Sequence, residues 1–198
     1  QKTAYEIRPR DWSSDVCSSD LVALVRAGGI EATRMFALGG RAFTKSIADG
    51  LALPFPRAEA LKIDYARGLA MPERERVAGI VAEDVRVWAA GVGLVLEELA
   101  GGELLPGRIH LCGGGAGLPE IPAALAADAF WRVLPFSRPP EVSVLRPADV
   151  DRVSDATGLL VDQQDVTPLG LAYQAIELAA EADPLEVALR RVLRAMRI

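Results

Sequence analysis

The sequence predicts an α/β fold carrying a mainly helical insert, and three observations support that class. First, the run Leu111-Cys112-Gly113-Gly114-Gly115-Ala116-Gly117-Leu118-Pro119 joins an extended stretch to an alanine-rich helix. Second, two apolar runs, residues 22–26 and 30–38, flank the turn Ala27-Gly28-Gly29. Third, residues 47–105 between these features show helical periodicity almost throughout.

Taken in order, the two apolar runs read as a β-hairpin, since a short glycine turn closes antiparallel strands. Gly39-Gly40 ends the hairpin, and residues 42–51 then place Phe43, Ile47 and Leu51 on one helical face. Pro54 and Pro56 separate this helix from one over 57–67, which Gly68 stops. A long helix is expected over 72–99, with Val77, Val81, Val85, Trp88 and Val92 in its apolar stripe. Gly101-Gly102 and Pro106-Gly107 mark turns before a strand over 108–112. A helix beginning at Pro119 and reaching residue 130 follows the glycine loop. Strands near 132–134 and 142–145 come next, then helix and turn over 149–160. A helix over 167–181 opens at the capping pair Thr167-Pro168, and a last helix covers 184–197.

At 51% hydrophobic and 25% charged residues, the composition is that of an ordinary soluble chain, and no apolar run is long enough to cross a bilayer. A net charge of −5 argues against nucleic acid as the main partner. Two cysteines make no disulfide framework, which points to a reducing cytoplasm. Residues 1–21 follow neither structural period and contain no signal-peptide core. They resemble one reading frame of a sequencing-library adapter, and are expected to be disordered and outside the fold. Without them 19 basic and 23 acidic residues remain, a net charge of −4, and Cys112 is the single cysteine. The natural chain before Val22 is then expected to be missing.

The glycine loop lets a ligand approach the backbone, because no Cβ intervenes and a helix start presents N–H groups beside it. Glu59 and Lys62, three residues apart, share a helix face. Such a carboxylate can accept from a sugar hydroxyl while the ammonium donates to a base; the same spacing also suits a plain solvated ion pair. After residue 21 the chain has 17 arginines and only two lysines, Lys45 and Lys62, so lysine is not its default cation. His110 reads as structural, Cys112 as a small buried hydrophobe, and Asp149, Asp151 and Asp155 as a solvated face rather than a metal site.

From residue 22 onward the order of features resembles the second half of an actin-like ATPase (ribonuclease H-like) of the FtsA/PilM type. The residues carrying this are Gly28-Gly29-Ile30 to Gly39-Gly40, Phe43-Thr44-Lys45-Ser46-Ile47-Ala48, Ala58 to Lys62 with Tyr65, the loop from Leu111 to Pro119, and Thr167 to Ala172. The resemblance implies one domain (IIA) from 22–46 and 106–198, with 47–105 as an inserted helical subdomain (IIB). It implies that Gly113 and Gly114, with Gly115 and Gly117 in the same turn, pack against adenosine. Glu59 would bond a ribose hydroxyl, Lys62 would lie along the adenine, and Gly39 and Gly40 would turn near the phosphates.

In the intact parent the resemblance implies ATP and Mg²⁺ as ligands and self-association into filaments or rings. It further implies partners in division or pilus machinery, a cytoplasmic location and peripheral membrane contact through 184–198. The two Asp- and Gly-bearing phosphate loops of such proteins have no match in the sequence, so hydrolysis is not expected of this chain. A chaperone- or sugar-kinase-type relative and a nucleotide-free scaffold are the alternatives.

Overall fold

A computed structural model describes residues 20–151, 153 and 155–180 of the chain. They divide into two compact units, one ending at Val144 and the other starting at Leu145. The expected helix over 184–197 lies outside the described residues.

The first unit opens with strands β1 (Asp20–Arg26) and β2 (Gly29–Phe36), paired antiparallel. Ala27 and Gly28 both take positive φ, 50° and 80°, the backbone that a two-residue hairpin loop needs to match strand twist. The register slips between Leu24 and Val25, leaving Glu31 as the extra residue of a bulge. β1 includes Asp20 and Leu21, two residues expected to lie outside the fold. Backbone pairing to Phe36 and Met35 extends the strand past the break in apolar pattern.

Helix α1 (Gly40–Leu51) follows, then α2 (Phe55–Ala66) and α3 (Arg74–Ala100). Pro56 sits in the first turn of α2, where its missing N–H costs nothing. α3, about 40 Å long at 1.5 Å per residue, buries Val77, Val81, Val85, Trp88 and Val92 along one stripe. It stops at Gly101, whose φ of 56° breaks the helical path.

β3 (Arg108–Leu111) pairs in parallel with β4 (Glu141–Val144). Between them come a 3-10 turn over Gly114–Gly117, helix α4 (Glu120–Ala126) and the short helix α5 (Asp128–Trp131). The strand expected at 132–134 is instead a turn. Asp128 accepts from Trp131 Nε1 at 3.1 Å and from Arg132 Nε at 3.0 Å, and this local capping prevails over the β-propensity of Val133.

The main core joins both sheets to the helices. Phe43, Ile47, Ala58, Val81, Trp88 and Leu118 are among its buried members, with Phe36, Ile109 and Val142 packed against them. Ile47, Val77 and Val81 are fully buried, each such side chain contributing about 1.5–3 kcal/mol. In the second unit, helix α6 (Val166–Ala180) begins one residue before the expected Thr-Pro cap. The preceding turn sets its start, with Asp165 Oδ2 accepting the amides of Val161 and Asp162 at 3.0 Å each. No helix among the described residues is long and apolar enough to cross a membrane.

Candidate functional site

The first turn of α1 and the middle of α2 meet at Lys62. Its ammonium donates to the Gly40 carbonyl at 2.9 Å, to Thr44 Oγ1 at 2.7 Å and to Glu59 Oε2 at 2.9 Å. An ammonium has three protons, so this set uses all of them. Thr44, fully buried, accepts from Lys62, and its own proton reaches Glu59 Oε2 or the Gly40 carbonyl. The Lys62 side chain is 13% exposed and that of Glu59 is 38% exposed. The bonds of this cluster fall on Glu59 Oε2, and the Glu59 side chain as a whole stays part-exposed.

The structure thus brings Gly40, Glu59 and Lys62 together, with Gly39 as the cap residue before α1. A Cβ at Gly40 would stand 3.5 Å from Lys62 Nζ, against the ammonium it helps hold. Thr44 completes the cluster, although as a single threonine on an apolar helix face it carries no sequence signal of that role. It is one helical turn beyond Gly40, which is what places it beside the ammonium.

The glycine loop lies at the end of β3. Gly113 has φ of 90°, a backbone that only glycine adopts without strain. A Cβ at Gly113 or Gly114 would meet no atom within 4 Å, so both face open space, and at Gly115 it would meet Ile121 Cδ1 at 3.8 Å. The loop does not present a bare helix terminus. The amides of Ala116 and Leu118 are spent on the 3-10 turn, bonding to the carbonyls of Gly113 at 3.2 Å and Gly115 at 3.0 Å. Gly117 closes that turn.

Next to the Gly39-Gly40 turn, a cavity of about 80 Å³ is lined by Leu38, Ala42, Phe43, Asp84, Val87 and Trp88. It is far below the roughly 300 Å³ of the smallest usual ligand pockets, so it is no nucleotide cleft. Asp84 accepts from Ser46 Oγ at 3.1 Å, while its Oδ2 is buried without a partner among the described residues. Burial pushes this carboxyl above the ordinary range. Asp20 is likewise raised by burial and accepts the Trp88 indole N–H.

The remaining candidates are accounted for locally. His110 Nδ1 lies 2.8 Å from Ser143 Oγ across the β3–β4 pair. Cys112 is exposed rather than buried, because it continues the strand alternation in which Ile109 and Leu111 face inward. Asp149 caps its own turn through the Arg146 amide at 2.8 Å. Asp155 accepts from the Thr157 hydroxyl and from the amides of Leu160 and Thr157, bonds that pull its carboxyl down to about 2. No group of three metal-binding side chains occurs among the described residues.

No protein-family model matches the chain, and no curated protein matches it. Solved structures do match, two of them as follows. One is a chain of the PilM-PilN type IV pilus biogenesis complex, at a TM-score of 0.58 and 20% identity, covering 79% of this chain and 43% of that one. The other is ethanolamine utilization protein EutJ from Carboxydothermus hydrogenoformans, at a TM-score of 0.51 and 22% identity, covering 79% and 46%. Identity this low makes the likeness one of fold, and the fold is that of the actin-like ATPases. The chain spans less than half the length of either neighbour.

Proposed function

From the actin-like ATPase fold, we propose that this chain supplies the adenosine side of an ATP site in a protein of the FtsA/PilM type. The Gly40–Thr44–Glu59–Lys62 cluster carries the reading. It holds one acidic residue rigidly, by a nearly buried ammonium bonded to one of its oxygens, and leaves that side chain part-exposed. Glu59 Oε1 would accept from a ribose hydroxyl, and the Lys62 stem would lie along the adenine. Gly113, Gly114, Gly115 and Gly117 would pack on the nucleoside from the other side, and Gly39 and Gly40 would lie toward the phosphates. Bound ATP would bring Mg²⁺ with its triphosphate, and the residues named here hold the nucleoside only. The division into 22–46 with 106–198 and an inserted 47–105 belongs to the same reading.

For the whole protein, ATP would act as a conformational and assembly ligand more than a rapidly turned-over substrate. Self-association into filaments or rings, partners in division or pilus machinery, and peripheral attachment to the cytoplasmic face of a membrane complete the proposal. The likeness to a chain of a pilus biogenesis complex supports it. A nucleotide-free scaffold is the second reading, favoured by the complete use of Lys62's protons within the protein.

Titrating adenosine and ATP into the chain, followed by ligand-detected NMR, separates the two. Adenosine affinity that falls about tenfold or more in Glu59→Ala and Lys62→Ala, a loss of about 1.4 kcal/mol, supports the site. Equal affinity in all three proteins returns both residues to an ion pair. An absence of binding to the unmutated chain selects the scaffold.

A further inference from the structure

One turn beyond Lys62, α2 carries Tyr65, which is 4% exposed. Its hydroxyl donates to Glu120 Oε1 in the first turn of α4, three residues past Gly117. This bond runs from the helix that carries Glu59 and Lys62 to the helix that follows the glycine loop. Ala58 of the first helix, and Leu118 and Ile121 at the start of the second, belong to the same apolar core. Apolar packing is non-directional and tolerates small shifts; a hydrogen bond sets a distance and an angle. The Arg74 guanidinium lies 4.9 Å from the centroid of the Tyr65 ring and holds the ring in place.

Glu120 is an expensive choice for this position. Its Oε2 is buried with no partner among the described residues, and an unsatisfied buried group of this kind is destabilising. A leucine would bury more apolar surface and leave no orphan oxygen. A leucine would, however, leave the buried Tyr65 hydroxyl without its acceptor, so the carboxylate answers the phenol while orphaning one of its own oxygens, and the directional bond fixes one helix against the other.

We propose that Tyr65 and Glu120 are positioning residues, a latch that sets the separation between the Glu59/Lys62 arm and the Gly113–Gly117 loop and so governs affinity for an adenine nucleoside. The inference rests on the adenosine-site reading above and adds how its two sides are held in register. Neither residue touches the ligand in this scheme.

The test uses the 198-residue chain with adenosine as the probe, which needs no phosphate loop. Glu59→Ala serves as the site control, beside Tyr65→Phe and Glu120→Gln. Tyr65→Phe is expected to weaken adenosine about tenfold, the scale of losing one hydrogen bond to a charged group. Glu120→Gln keeps a carbonyl acceptor for the phenol and is expected to stay within about twofold of the parent.

Where Tyr65→Phe lowers the folded population, the double variant Tyr65→Phe/Glu120→Leu decides, because it replaces both polar partners with apolar ones. Restored folding with affinity still about tenfold down supports the latch. Restored folding with restored affinity overturns it, the pair being structural only. If Glu59→Ala loses binding while Tyr65→Phe binds like the parent, the latch fails and the site stands. If the parent chain itself does not bind adenosine, the site reading falls and takes the latch with it.

Discussion

The Lys62 cluster and the Gly113–Gly117 loop form the two sides of the proposed nucleoside site, and they are built in opposite ways. Around Lys62 the protein answers its own polar groups, with one ammonium, one buried hydroxyl, one carbonyl and one carboxylate oxygen all engaged. Around the loop little is engaged beyond the 3-10 turn. Gly113 is required by its own backbone angle, but Gly114 is required neither by a positive φ nor by crowding. Glycine costs conformational entropy wherever the fold does not need it. Gly114 thus finds no justification in the chain's own packing, while Gly40 and Thr44 find theirs entirely inside it. A satisfied cluster gives rigidity; an open loop gives access.

The largest expected break in this contrast is Lys62→Met, which leaves the Glu59 carboxylate, Thr44 and the Gly40 carbonyl without their shared donor. Removing one partner of a largely buried charged network should cost about 2–3 kcal/mol, read as a lower urea midpoint at unchanged slope. An unmoved midpoint means that the cluster is not closed in solution.

Next is Gly113→Ala. Forcing an L residue to φ of 90° should cost about 1–3 kcal/mol, and a smaller loss shows that the loop relaxes to a different turn. Gly114→Ala is its sharpest comparison, with an expected stability change within about 0.5 kcal/mol and a clear loss of adenosine binding. A stability loss equal to that of Gly113→Ala would show that the loop is packed, not open.

The last test concerns the bridge between the two sides, and its effect is confined to high pH. Burial and the neighbouring Glu120 carboxylate push the Tyr65 phenol up to about 12. The raised value means that the fold favours the neutral phenol. Its contribution is fully present below pH 10, the ordinary value, and is lost as pH rises from about 10 to about 12. Thermal midpoints of the unmutated chain should therefore fall more steeply across that window than those of Tyr65→Phe. Parallel curves would place Tyr65 in water.

Much of the architecture was legible because its signals are local. The Ala27-Gly28 turn, the prolines before α2, the 3.6-residue stripe of α3 and the glycines that stop it each act within a few residues. The misreadings come from short-range bonds that no periodicity shows. The Asp128 cap turns 132–134 away from a strand, and the Asp165 carboxylate starts α6 before Thr167. Cys112 is a different case, since strand alternation alone would have set it outward.

Within the candidate site, the Glu59–Lys62 spacing and the glycine loop stand out in the sequence. Thr44, Asp84 and Glu120 do not, since each acquires its partner from 15 to 55 residues away. Sequence by itself determined most of the elements, their order and the two glycine-bearing turns, because backbone propensities and hydrophobic periodicity are short-range properties of the chain. Tertiary structure alone decided that Lys62's protons are all spent, that Gly114 faces open space, and that Tyr65 reaches Glu120. Those facts depend on which distant side chains share a boundary, and only the packing of α1, α2, α3 and α4 into one core sets that.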